Sequence, residues 1–185
     1  MSVNQFVKPI TTEEKKHLYI GGCDTVELAN QYGTPLYVID EATLRGICID
    51  YKNAFKDYKN IKMMYASKAL CTSAIIRILD EEGFGFDTVS AGEIYTVYKA
   101  GVDMSKVLFN GSNKTQREIE LALDYNVGRF SVDNFFEAKL LNKIAREKNK
   151  TADILLRITP GIECHTHDYI QTGQIDSKFG FDLTQ

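Results

Sequence analysis

The chain has 185 residues and a formal charge of −3 at pH 7, with a pI near 5.7. That balance argues against an electrostatic nucleic-acid binder, and no apolar run approaches the length of a membrane span. A hydrophobic share of 44% suits one soluble domain with a real core, or part of a larger one.

The opening stretch MSVNQFVKPITTEEKKHLYIGG lacks the apolar segment of a secretory leader. Cys23, Cys48, Cys71 and Cys164 are scattered without a C-x-x-C pair and read as reduced thiols of a cytoplasmic protein. His17 has no evident partner and reads as a surface residue. PLYVID (35–40) reads as a strand. EATLRGICIDYKNAFKDYKN (41–60) reads as an amphipathic helix entered from Asp40.

From residue 61 one rhythm repeats. IKMMYAS is a strand with Ile61, Met63 and Tyr65 on one face. TSAIIRILDEEG is a helix capped by Thr72 or Ser73, striped by Ile75, Ile76 and Leu79, and stopped at Gly83. FGFDTVS leads into the helix AGEIYTVYKAG, which ends at Gly101. KVLFN is a strand, KTQREIELALDYN a helix, and GRFSV the next strand. NFFEAKLLNKIAREKNK is a helix with Asp133 placed to cap it, and ADILLRI is the last strand. Strand and helix alternating in this way is the sign of a parallel α/β fold. The tail PGIECHTHDYIQTGQIDSKFGFDLTQ is polar and without periodicity, and FDLTQ reads as the start of a further helix with Asp182 at its cap.

In a parallel α/β protein the chemistry gathers at the C-terminal ends of the strands. Those positions hold Lys68, Asp87, Asn110, Ser131 with Asp133, and Arg157. Loops and caps are polar in any protein, and Asn110, Ser131 and Asp133 suit that role equally well. Lys68 and Asp87 are embedded in apolar or small residues, YASKAL and GFGFDTVS. A lysine at a strand end near an acid suits Schiff-base chemistry with a carbonyl cofactor, usually pyridoxal phosphate.

YASKALCTSAIIRILDEEG resembles the pyridoxal-phosphate attachment segment of the group IV amino-acid decarboxylases, the family of the alanine-racemase fold. The match covers Tyr65, Ala66, Lys68, Ala69, Ile75, Ile76, Leu79 and Gly83. GFGFDTVSAGEI resembles the family's second-strand segment, with Asp87 and Glu93 in their places, and LLRITPG its fifth-strand segment with Arg157. HTHDYIQTGQIDSKFGF resembles the branch of the family that decarboxylates meso-diaminopimelate to L-lysine. Four ordered motifs carry more weight than any one alone.

The resemblance implies an eight-stranded TIM-like α/β barrel joined to a β domain, cut here after about five strands. Residues 1–34 would associate with the β domain, and 35–185 would form the N-terminal part of the barrel. It also implies pyridoxal phosphate as cofactor, an amino-acid substrate and a homodimer. Lys68 would be the catalytic, cofactor-bearing lysine. Asp87 would lie beside it and Arg157 in the same polar cluster, with Glu93 behind them and Lys178 near a subunit interface. The family's Gly-rich phosphate loop is missing, since Thr88 stands where GFGFDT would need its third Gly. That loop and the ring-stacking and substrate-binding groups would fall beyond Gln185, so the chain reads as the N-terminal part of a longer enzyme, inactive alone.

Three alternatives stay open. Arginine, ornithine and carboxynorspermidine decarboxylases share the lysine segment. A non-catalytic single-barrel carrier of the cofactor also ends its first strand in lysine. Cys164, His165 and His167 hold a pair of the type that binds zinc, although no further ligand cluster accompanies them.

Overall fold

The computed structural model describes residues 17–160 and 179–182. The chain divides into two compact units, Met1–Ile61 and Lys62–Gln185.

In the first unit, strands β1 (Tyr19–Ile20) and β2 (Cys23–Asp24) form an antiparallel hairpin. Its turn is Gly21-Gly22, with φ of 57° and 80°. Two successive positive-φ residues give the turn whose twist matches the strands, and glycine reaches it without a Cβ penalty. Helix α1 (Thr25–Tyr32) starts at Asp24, whose carboxylate accepts from the N–H groups of Val26 and Glu27. Helix α2 (Glu41–Ala54) starts at Asp40, as expected, and buries Cys48. It ends six residues short of Asn60, where a turn replaces it. The expected strand over 35–40 is absent: nothing among the described residues pairs with it, and Leu36, Tyr37 and Ile39 lie exposed. Apolar alternation marks a face, but a strand also needs a ladder partner.

His17 does have a partner, for its Nδ1 lies 2.8 Å from Asp24 Oδ2. Burial pushes the Asp24 carboxyl up. The bonds from His17, Val26 N–H, Tyr19 and Glu27 N–H together outweigh that and hold it down at about 2. A folded value below the ordinary 3.8 gives stabilisation that is present above that pH and lost as pH falls toward 2. An NMR titration of the Val26 and Glu27 amides should therefore show a midpoint near 2; a midpoint near 4 would contradict the cap.

The second unit is built on a five-stranded parallel sheet in the order β3-β4-β5-β6-β7. The strands are β3 (Met64–Ala66), β4 (Gly85–Thr88), β5 (Val107–Phe109), β6 (Arg129–Val132) and β7 (Ile154–Leu156). Helices α3 (Ser73–Glu81), α4 (Ala91–Ala100), α5 (Gln116–Asp124) and α6 (Phe135–Glu147) connect them in turn. Strand order equal to sequence order is that of a winding barrel rather than a doubly wound sheet. The expected α/β architecture, with five strands of a barrel, is what the structure has.

The stripe read from the sequence on α3 is buried, and each following helix buries a stripe of its own. They comprise Ile75, Ile76 and Leu79 on α3, Ile94 and Val97 on α4, Ile119, Ala122 and Leu123 on α5, and Leu141, Ile144 and Ala145 on α6. Phe86, Phe109 and Phe130, at most 1% exposed, fill the sheet side of the core. Each fully buried large side chain contributes roughly 1.5–3 kcal/mol. This core holds the strands in register and so fixes where their ends point.

Four local expectations are corrected. Asn134, not Asp133, caps α6: its Oδ1 accepts from Glu137 N–H at 2.9 Å, while Asp133 turns its carboxylate elsewhere. Helix α5 begins at Gln116 behind the cap Thr115, which leaves Lys114 outside it. Thr72 is the N-cap position of α3 but makes no side-chain cap bond. Phe181–Asp182 is not a helix start but a short strand, β9, parallel to β8 (Ile158–Thr159). Phe181 prefers that pairing because its ring meets Phe135 edge-on at 5.0 Å and its N–H reaches Arg157 O at 2.7 Å. Among the described residues, no helix is long and apolar enough to cross a membrane.

Candidate functional site

Parallel pairing brings the C-terminal ends of β3 to β7 to one face of the second unit. Lys68 follows β3 in a single 3-10 turn, Ser67–Ala69, and is exposed. Its backbone is pinned on both sides. Before it, Ser67 is fully buried, with Oγ 2.9 Å from the carbonyl of Asp87 and 2.6 Å from Glu93 Oε2. After it, the Leu70 carbonyl accepts from Tyr65 Oη at 3.0 Å. The Lys68 amine itself makes no hydrogen bond or ion pair among the described residues. A fixed root with a free amine is what a nucleophilic lysine needs.

Asp87 ends the adjacent strand, opposite Ala66 in the ladder. Its Oδ2 accepts from Asn110 Nδ2 at 3.4 Å, so its hydrogen bond runs to β5 and not to Lys68. Burial is the largest influence on the carboxyl and raises it. The Asn110 bond and the charges of Lys68 and Arg157 act the other way, Glu93 adds to the rise, and the net direction is up. Lys68 and Arg157 are thus both near enough for their fields to act on Asp87.

Arg157 and Asp133 form the other half of the site. Arg157 Nη1 lies 3.7 Å from Asp133 Oδ2, and its guanidinium sits 4.2 Å over the Phe179 ring. Asp133 is 3% exposed, and its Oδ2 also accepts from Gly180 N–H at 3.4 Å. Ser131 is buried and contributes its carbonyl. Among the described residues, Asp87 Oδ1 and Asp133 Oδ1 are buried without a hydrogen-bond partner. Unsatisfied buried acceptors are costly, and two at one face suit a ligand that brings donors.

The raised Asp87 carboxyl has a consequence for stability. A folded value above the unfolded one gives stability that is full below pH 3.8 and lost as pH rises through the folded value. At pH 7 the charged form is a net cost when no ligand is bound. Asp87→Asn should therefore raise the melting temperature slightly at pH 7, with the gain vanishing by pH 4. A loss at pH 7 would contradict this.

A pattern recurs at the helix starts. Ser90-Ala-Gly-Glu93, Thr115-Gln-Arg-Glu118 and Asn134-Phe-Phe-Glu137 each place a capping side chain three residues before a glutamate. Each glutamate also reaches back to the strand–helix repeat before its own, within the second unit. Glu93 meets Ser67, Glu118 accepts from Ala91 N–H at 3.2 Å, and Glu137 accepts from Lys114 Nζ at 2.8 Å. Glu93 therefore stands behind the Lys68 turn rather than against Lys68. Ser67, Lys114 and Glu137 are buried at this face and were not singled out by sequence. The cap-x-x-Glu repeat could have pointed to Glu137.

Cys164, His165, His167 and Lys178 lie outside the described residues. Among the described residues no group of three or more His, Cys, Asp and Glu could hold a metal.

Comparison with known proteins extends the geometry. Residues 42–185 match the family described as pyridoxal-dependent decarboxylase, pyridoxal binding domain. A diaminopimelate decarboxylase of Halalkalibacterium halodurans is 55% identical over 170 residues, covering 91% of this chain and 39% of that protein. One of Bacillus methanolicus is 55% identical over 172 residues, covering 92% and 40%. The crystal structure of the M. jannaschii diaminopimelate decarboxylase with L-lysine superposes with a TM-score of 0.80 at 38% identity, covering 91% of this chain and 40% of that one. The chain thus spans about 40% of the length of the relatives it matches.

Proposed function

The chain belongs to the pyridoxal-dependent decarboxylases through their pyridoxal-binding domain, and from that membership we propose that it carries the lysine-bearing part of an enzyme converting meso-diaminopimelate to L-lysine. The observation that carries the reading is Lys68, an exposed amine on a pinned turn at the face where Asp87, Asn110, Asp133 and Arg157 also end.

The residues fit pyridoxal phosphate. The free Lys68 amine suits its aldehyde, and the unpartnered oxygens of Asp87 and Asp133 suit a group that brings donors. When bound, that cofactor supplies an electron-accepting ring that lets a carboxylate leave as carbon dioxide. The rest falls to the protein. Ser67, Glu93 and Tyr65 hold the Lys68 backbone so that its amine returns to one place. Asp87 sets the local charge beside it. Arg157, held by Asp133 and Phe179, presents a fixed cation at the far side of the cluster.

The substrate assignment follows the relatives' names and the L-lysine held by the M. jannaschii enzyme. The proposal includes a cytoplasmic homodimer, and a division in which residues 1–34 associate with a second, β domain.

The test is carbon dioxide release by the full-length protein from meso-diaminopimelate, with ornithine and arginine as competitors. Borohydride reduction and peptide mapping locate the cofactor. Release from meso-diaminopimelate alone supports the reading. Preference for ornithine or arginine moves the substrate within the family, and cofactor bound without turnover of any of the three points to a carrier.

A further inference from the structure

The strand ends that make up the site fall into two halves, and the link between them is a buried ion pair that the proposed function does not use. On one side, Asn110 is bonded to Asp87. On the other, Arg157 is paired with Asp133. Between β5 and β6 the ladder stops at Phe109 and Phe130, before either half is reached. Beyond it stands Lys114, with a side chain 1% exposed. Its Nζ donates to Gly111 O at 2.6 Å, Ser131 O at 2.6 Å and Glu137 Oε1 at 2.8 Å. An ammonium has three donors, and all three are used. Glu137 is 4% exposed and carries the connection on, since its Oε2 accepts from Asp133 N–H at 3.4 Å.

The acceptors lie where the site needs holding. Gly111 follows Asn110, Ser131 precedes the end of β6, and Asp133 is the partner of Arg157. The Phe109 ring, 5.5 Å from Nζ, closes the space below the cation. A surface ion pair would spend its strength on water. This one is desolvated, fully hydrogen-bonded and tied to two strand ends and one helix start, which makes its geometry stiff.

We infer that Lys114 and Glu137 are positioning residues: together they lock the Asp133–Arg157 half of the site to the Asp87–Asn110 half, so that cofactor affinity depends on a buried pair whose hydrogen bonds all run to the protein itself. The inference rests on the functional reading above.

Lys114→Met breaks the clamp outright and endangers the fold. The deciding variant in the full-length protein is Glu137→Gln. Its amide oxygen still accepts from Lys114, but its amide nitrogen cannot accept from Asp133 N–H. Glu137→Asp keeps the charge and is too short to hold both partners. The readouts are the melting temperature of the cofactor-free protein and the dissociation constant of pyridoxal phosphate by fluorescence. Glu137→Gln should stay folded but melt below wild type, because the buried Lys114 ammonium keeps three acceptors and loses its counter-charge. It should bind the cofactor roughly tenfold or more weakly, the scale on which small misplacements are felt. Glu137→Asp should weaken binding less. Wild-type affinity in either folded variant overturns the positioning role. Loss of the fold in both assigns the pair to stability alone and overturns it as well. Wild-type protein that takes no cofactor on Lys68 brings down the functional reading instead, which keeps the two failures apart.

Discussion

Lys68→Ala in the full-length protein should abolish cofactor attachment and lower decarboxylation by more than about 10³-fold, the scale of losing a group that acts covalently. The structure narrows the field of other candidates. Lys114 also stands at the strand-end face, and by position alone it could compete. Its three donors are satisfied by Gly111, Ser131 and Glu137, and its side chain is shut from solvent. To react, it would have to leave an ion pair and two carbonyls. Lys106 lies at the other end of β5 and is paired with Asp80 at 2.8 Å. Lys68 has no such commitment and sits on a turn fixed by Ser67 and Tyr65. Its replacement should leave the fold intact, because the side chain is exposed, makes no hydrogen bond among the described residues, and acts on the protein only through its charge near Asp87. The expected result is therefore a protein with wild-type melting and no borohydride-trapped cofactor. Cofactor trapped on Lys114 or another lysine, at wild-type stoichiometry in Lys68→Ala, would defeat the assignment.

Much of this was legible in the sequence because it is written in periodicity. The stripe Ile75, Ile76 and Leu79 recurs at helical spacing, and three further stripes repeat it. Between them come short apolar runs, and that alternation fixes a parallel sheet almost alone. Once the sheet is parallel, Lys68, Asp87, Asn110, Asp133 and Arg157 must share a face. Side-chain direction beyond the strand was not legible. Asp133 and Asn134 are adjacent and both can cap a helix, and only the nearby Arg157 and Gly180 decide that Asn134 does so. Lys114 read as the first residue of a polar helix start, because its acceptors come from three separate places in the chain. The 35–40 segment failed for a related reason, since alternation cannot name a ladder partner. The Gly21-Gly22 turn was legible in principle, yet its flanking strands of two residues are too short to show a period.

Lys114→Met should destabilise the protein by about 3–5 kcal/mol, the range for removing one partner of a buried ion pair. The cause is what is left behind. Glu137 keeps its charge at 4% exposure with only the amide of Asp133 and its own helix start for company. The carbonyls of Gly111 and Ser131 lose their donor, at about 1–3 kcal/mol for each that stays buried and unpaired. Replacing both partners, as Lys114→Met with Glu137→Leu, removes the stranded charge and fills the space with apolar atoms. The two carbonyls still lack donors, and the Asp133 amide loses its acceptor, so the double variant cannot return to wild type. It should nevertheless be more stable than Lys114→Met alone, although one more native group is gone. That ordering is the signature of a pair whose worth lies in mutual neutralisation rather than in two separate contributions. Denaturant midpoints of the wild type, both single variants and the double decide it. Additive losses, with the double variant least stable, would mean that the charges are held apart by solvent and that the clamp between the strand ends is not closed.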